Sequence, residues 1–407
     1  MPRAAAAQGD PLGSEFRVNT FTTGSQADAS VAMAALGEFV VVWTSATQDG
    51  SGFGIFGQRF ASSGAPLGLE FRVNTYTTGN QYAPSVSMAA LGEFVVVWHG
   101  GSYQDGSALG VFGQRFAATG QAVGPEFRVN TYTTNAQVNP SISVDSTGDF
   151  IVAWTSAIQE GSSFGVFAQR YDSAGVPLGP EFHVNTYTPN SQMTPAVGSD
   201  ELGNFVIVWH SDSQDGYGRG VFGQRYDSGG VPLGAEFRVN TYTNFDQHYP
   251  VVALDGAAGS NFAVAWAGGD QDGSAGGIFA QRFAPSGAPL GPEFRVNTYT
   301  TGYQFGLAAA SDTGGNFVVV WGSDGQDGSI VGVFGQRYSG TGDVLGPEFR
   351  VNTFTTGPQS APAVAAADSG NFVVVWMSDG QDGSASGIFA QRYSQIVPVE
   401  LMHFAIE

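Results

Sequence analysis

The sequence contains no cysteine and no lysine. Without thiols there are no disulfides and no thiolate metal sites. Without lysine, every permanent side-chain cation is one of 15 arginines. Charged residues make up only 12% of the chain, and 35 acids outweigh those bases for a formal net charge of −20. A surface this acidic repels phosphate backbones, which excludes nucleic acid from the expected partners. No apolar run is long enough to cross a bilayer as a helix, so no membrane span is expected. The first residues, with Ala4 to Ala7 before Gln8, carry no apolar segment of the signal-peptide kind.

What the chain has in abundance is glycine (59), phenylalanine (31) and tyrosine (14), a composition of short strands and tight turns rather than helices. These residues fall into a repeat. E-F-[RH]-V-N-T-[FY]-T recurs with its Phe at Phe16, Phe71, Phe127, Phe182, Phe237, Phe294 and Phe349. One tryptophan follows in each copy, at Trp43, Trp98, Trp154, Trp209, Trp266, Trp321 and Trp376. A third marker, F-[GA]-Q-R-[FY], ends at Phe60, Phe116, Tyr171, Tyr226, Phe283, Tyr338 and Tyr393. Seven copies spaced 55–57 residues apart are the signature of a repeat architecture.

Each copy reads as four strands. In the first they are 30–34 (small residues), 38–43 (continuously apolar), 54–60 and 70–75, with glycine-containing turns between. The apolar run has no alternation, so both its faces are expected to be buried between neighbouring sheets. The fold predicted is an all-β, seven-bladed β-propeller of four-stranded antiparallel blades around a channel. The chain opens on a fourth-strand motif and ends its seventh copy after a third strand, so the N-terminal strand is expected to complete the last blade. The propeller is assigned to residues 1–394, with repeats beginning near 13, 68, 124, 179, 234, 291 and 346, and a tail strand to 395–407. The tail is expected to pack on the ring, with self-assembly through it as an alternative.

In such a meander the blade crossovers and the second-to-third hairpins share one face, so T-[FY]-T-x-x-x-Q and Q-D-G-S ring the same end of the channel. That face is the expected functional one. Candidate ligand contacts are Gln26, Gln81, Gln137, Gln192, Gln247, Gln304 and Gln359, with Tyr76, Tyr132, Tyr187, Tyr242 and Tyr299, since rings stack on sugars and amides fix hydroxyls. The competing reading makes the aromatics plugs between blades and the glutamines ties of the crossover backbone. Candidate calcium ligands are Asp49, Asp105, Asp212, Asp215, Asp272, Asp324, Asp327, Asp379 and Asp382. Against that stands the plain Asp-Gly turn. Ca2+ is the one cofactor considered. The repeated Glu and Arg of the third and outer strands are expected to pair across the hairpin.

The repeat F-R-V-N-T-Y-T-T-G-x-Q, F-V-V-V-W, Q-D-G-S, V-F-G-Q-R-[FY] resembles tandem repeats of large secreted and cell-surface bacterial proteins, and in plan it is similar to lectin and integrin-type propellers. It departs from the integrin-type D-x-D-x-D-G loop. The resemblance implies an extracellular module. The expected function is therefore a non-enzymatic binding or display module, lectin-like, with a glycan or protein ligand on the crossover face. The alternative is a purely structural surface, matrix or filament component, calcium-stabilised or not. A glycosidase or lyase is the remote alternative, because uniform repeats offer the same groups seven times, whereas catalysis needs one asymmetric cluster.

Overall fold

The first full repeat folds as an inner strand Gln26–Met33, a second strand Phe39–Ala46, a third strand Phe53–Phe60 and a short outer pairing at Phe71–Arg72. The computed structural model describes residues 9–101, 104–161, 163–254, 259 and 261–395, so the expected tail strand, beyond Gln395, lies outside the described residues. Seven four-stranded sheets follow one another, each antiparallel and each ordered from inner to outer strand as in the sequence. Each inner strand packs beside the inner strands of its two neighbours, and the last, Gln359–Ala366, packs beside the first. The sheets are thus blades, numbered 1 to 7 from Gln26, and the inner strands enclose a channel.

The ring closes as expected. Phe16 pairs with Ala390 and Arg17 with Phe389, so the N-terminal strand is the outer strand of blade 7. Leu12 N–H donates to the Arg392 carbonyl at 2.7 Å, and Val18 N–H to the Ile388 carbonyl at 2.8 Å, extending the seam beyond the pairing.

Burial explains the unalternating second strands. In blade 1, Phe39, Val41 and Trp43 face blade 7 and pack with Val373 and Val375. Val40 and Val42 face the other way and pack with Phe94, Val96 and Trp98 of blade 2. One strand therefore feeds two cores, and every position must be apolar. All seven tryptophans are fully buried in these inter-blade layers.

The inner and outer strands differ most from the sequence reading, and the second runs on to Ala46. The inner strand starts at the crossover glutamine, four residues before Ser30, because a bulge between Ala27 and Ser30 breaks the alternation that would have marked it. The outer strand is shorter than 70–75 except in blade 2, where it runs Ala122–Arg128. Side chains replace the ladder there: Asn74 Oδ1 accepts the Ile55 N–H at 2.7 Å.

The expected Glu–Arg pairs are not formed. Glu70 reaches the preceding crossover, accepting Thr20 N–H at 2.6 Å and the Thr20 hydroxyl at 2.8 Å. All seven outer-strand glutamates repeat this, and each also accepts from the Gln of a Q-[DE]-G hairpin. The third-strand arginines point to the opposite face, where Arg59 donates to the Thr119 carbonyl of the next blade at 2.7 Å. Register brings Glu70 within one position of Arg59, but the two side chains reach in opposite directions and do not meet. Ion pairs among the described residues include His183–Glu160 and Arg219–Asp212.

Candidate active site

The glutamines expected to touch ligand are buried beneath the crossovers. Gln81 is a representative copy: its Oε1 accepts from Asn74 at 3.2 Å, and its Nε2 donates to the Thr78 carbonyl. Gln26, Gln137, Gln192, Gln247, Gln304 and Gln359 are spent in the same way. This places them as ties of the crossover rather than on its surface. Tyr76, Tyr132, Tyr187, Tyr242 and Tyr299 are half-buried in the same crossovers.

The hairpin acids are turn formers. Asp49, Asp105, Asp215, Asp272, Asp327 and Asp382 each accept the N–H two residues on. Asp215, Asp327 and Asp382 also accept from the outer-strand Asn beside them. Asp212 pairs with Arg219 at 3.2 Å, Asp379 accepts from Ser386 at 2.6 Å, and Asp324 sits half-buried at the end of its strand. Among the described residues no three of His, Asp and Glu converge on one point.

The bulge that hid the inner strands builds something the repeats alone do not announce. Its central residue has a positive φ in every blade, from 47° to 58°: Asp28, Ala83, Asn139, Thr194, Tyr249, Gly306 and Ala361. In five blades it is the one exposed residue of its inner strand, so these side chains face the channel at its crossover mouth. The backbone is the same seven times and the side chains are not. Here a carboxylic acid, an amide, an alcohol, a phenol and three small residues share one ring.

Polar groups behind the ring are equally uneven. The second-strand residues beside the bulges are Thr44, His99, Thr155, His210, Ala267, Gly322 and Met377. The Thr194 hydroxyl and His210 Nδ1 lie 2.7 Å apart, and the Thr194 N–H donates to the Thr155 hydroxyl across the blade interface at 3.0 Å. His248 and Tyr249 stack edge to face with centroids 4.7 Å apart, and His210 meets the same Tyr249 ring at 5.9 Å. His210 Nε2 and the Nδ1 atoms of His99 and His248 are buried without a partner.

Electrostatics sort these groups. Asp28 is open to channel water, yet the channel walls hem it in, and that desolvation raises its pKa above the ordinary carboxyl value. The nearby Thr44 hydroxyl opposes this only in part and makes no hydrogen bond of ordinary geometry. Burial pushes His99 down to about 4. Burial, helped by Arg219 and His248, pushes His210 down to about 3. His248 is lowered too, first by burial and then by Arg219. At neutral pH these three imidazoles are uncharged.

Sequence reading missed this ring, although the signal was present. Two positions after the crossover glutamine, the aligned copies read Asp, Ala, Asn, Thr, Tyr, Gly, Ala. That column varies beside a constant glutamine, and the one before it, Ala27, Tyr82, Val138, Met193, His248, Phe305 and Ser360, varies further. The larger clefts, of about 360 and 370 Å³, open between blades on the opposite face. Acids there, such as Asp145 and Asp149, are occupied with capping turn N–H groups.

No protein-family model matches the sequence, and no curated protein resembles it. The fold is shared with solved structures. A protein of unknown function from Dyadobacter fermentans is 10% identical, with a TM-score of 0.54, over 96% of this chain and 100% of that one. An α-L-arabinanase of Penicillium chrysogenum, solved with arabinobiose, is 13% identical over 95% of this chain and 100% of that one, with a TM-score of 0.48. A leech intramolecular trans-sialidase is 10% identical over 94% of this chain and 70% of that one, with a TM-score of 0.49.

These findings correct the expectation of a non-enzymatic, lectin-like module. The proteins of stated activity just named are carbohydrate-active enzymes rather than lectins. The physical premise of that expectation also fails: the repeats do not offer the same groups seven times, because the channel ring is asymmetric.

Proposed function

We propose that the chain is a propeller glycosidase whose site is the crossover mouth of the channel. The supporting observation is the bulge ring, one backbone conformation carrying unlike side chains. In this reading Asp28 is the proton donor, because a carboxyl with a raised pKa keeps its proton closer to neutral pH. It protonates the glycosidic oxygen as the C–O bond breaks. Water adds to the anomeric carbon, and its proton returns to the Asp28 carboxylate that the first step left. Asn139 and Thr194 hold sugar hydroxyls, and the Tyr249 ring offers a stacking face. Small residues at Ala83, Gly306 and Ala361 leave room for the sugar. The arabinanase and trans-sialidase likeness is in keeping with a glycan substrate. The resemblance of the repeats to secreted bacterial modules suits work outside the cell.

The test is product release from a panel of aryl glycosides, arabinan and sialyllactose, with Asp28→Asn as the diagnostic variant. Loss of a general acid is expected to lower turnover by roughly 10²- to 10⁴-fold. Unchanged turnover in Asp28→Asn, or no release from any substrate, overturns the reading.

A further inference from the structure

Among the described residues, four large aromatic side chains are exposed: Tyr217 at 60%, Phe245 at 43%, Tyr249 at 51% and Tyr303 at 57%. In a chain with 31 Phe and 14 Tyr, scattered exposure would spread them around the ring. Instead all four sit on the crossover face, between blades 4 and 6.

Two of them, Tyr217 and Phe245, depart from a steady position of the repeat. Tyr217 stands where other hairpins of this face have Ser51, Ser107, Ser274, Ser329 and Ser384. Phe245 stands at the crossover position that is otherwise Gly24, Gly79, Asn135, Asn190, Gly302 and Gly357. All of these have positive φ, and Phe245 adopts 62° like the two asparagines. A phenylalanine is strained there, and its ring is not used for core packing. Neither backbone preference nor burial accounts for it.

Two of the rings are in contact. Tyr217 and Phe245 meet edge to face, with centroids 6.3 Å apart. Gly218 and Gly269 back them: a Cβ on Gly218 would come within 3.1 Å of the Phe245 carbonyl oxygen, and one on Gly269 within 3.4 Å of the Phe245 Cβ. Tyr249, four residues on, is already in the channel ring. Polar groups flank the rings, with Arg219 paired to Asp212 at 3.2 Å and Asp246 accepting the Arg219 N–H at 3.1 Å. Arg219 itself replaces apolar or small residues, as at Phe53, Leu109 and Val331.

We infer that Phe245, Tyr217, Tyr249 and Tyr303 form an extended binding strip for a neutral polysaccharide, leading from the rim into the channel mouth. Flat rings beside a hydrogen-bonding arginine–carboxylate pair match sugars, which present C–H faces and hydroxyl edges. A polyanionic glycan is disfavoured by the net charge of −20. The inference rests on the glycosidase reading and adds to it that the substrate is a chain rather than a small glycoside.

The test is affinity electrophoresis of the intact protein in gels holding arabinan, galactan, xylan or mannan, compared with a polymer-free gel. Wild type is expected to be retarded by at least one of them. The double variant Phe245→Gly, Tyr217→Ser, which restores what the other blades carry, is expected to lose at least tenfold in apparent affinity. Its melting temperature should not fall, since the strained backbone is relieved. Leu36→Ser, on the opposite face, controls for loss of a surface hydrophobe. Asp28→Asn should keep retardation while losing turnover, which separates this strip from the catalytic reading. Retardation unchanged in the double variant, or no retardation of wild type by any polymer, overturns the strip even where small glycosides are cleaved.

Discussion

Glu15 accepts two hydrogen bonds from Thr353, from the N–H at 2.6 Å and from the hydroxyl at 2.9 Å, joining residues 338 positions apart. The same clasp recurs at every blade boundary, but only here does it tie the N-terminal strand of blade 7 to the far end of the chain, at the crossover that follows Arg350. Glu15→Ala is expected to cost about 2 kcal/mol, the scale of a lost hydrogen bond to a charged group. Glu181→Ala, the internal counterpart, should cost less, because there the outer strand is covalently continuous with its own blade. Urea unfolding of both variants decides it: equal losses would show that the seam is no weaker than the other boundaries.

Asn130 carries a buried load of another kind. Its Oδ1 accepts the Val111 N–H at 2.7 Å, and its Nδ2 donates to the Tyr132 carbonyl at 2.8 Å and to Gln137 Oε1 at 3.1 Å. Asn130→Ala leaves these buried groups unpaired and is expected to destabilise by about 3 kcal/mol. Asn130→Asp keeps the acceptor but loses both donors, so it should rescue little. Thermal melts of the two variants at neutral pH make the comparison.

The buried imidazoles give the fold an acid limit. His99 is held near 4 in the folded protein against 6.5 for a free histidine, so the unfolded chain takes up the proton first. Stability is therefore full above the free value and falls as pH drops from there towards the folded value. His210, lowered further, adds to the slope over a wider window. His99→Thr with His210→Thr places at both sites the residue found at Thr44 and Thr155. Unfolding midpoints measured from pH 7 to pH 4 should fall less in this double variant than in wild type; parallel curves would contradict the burial argument.

Asp28 has the opposite consequence. A raised folded pKa means that ionising the carboxyl costs more in the fold than in the unfolded chain. Asp28→Asn should then be more stable than wild type at neutral pH, with the gain vanishing below about pH 4, where both states of the wild type are protonated. Calorimetry across that range reads the difference directly. A destabilised Asn variant at neutral pH would show that the carboxylate is held favourably.

Much of the architecture could be read from the sequence because its signals are local and repeated. The unalternating Phe39–Val42 run announced burial on two faces, and the opening Phe16–Arg17 motif announced the seam. The Glu70–Arg59 pairing misled because a repeat shows which residues lie side by side in a hairpin, not where their side chains reach; Glu70 in fact reaches Thr20. The site was harder. The bulge at Asp28 breaks the two-residue period, so residues 26–29 read as crossover and only 30–34 as strand, while Gln26 and Asp49 stand out by their constancy. In a chain of near-identical repeats, constancy marks what holds each blade, and variation marks what differs in purpose.

The positive-φ bulge has a wider consequence for how such a chain can change. Aspartate, alanine, asparagine, threonine, tyrosine and glycine already occupy the same backbone seat. Single replacements at these seats can therefore redecorate the channel entrance while the surrounding scaffold stays put. A protein built this way can drift from one ligand to another by separate small steps, and the identity of any one blade is no guide to the chemistry of the whole.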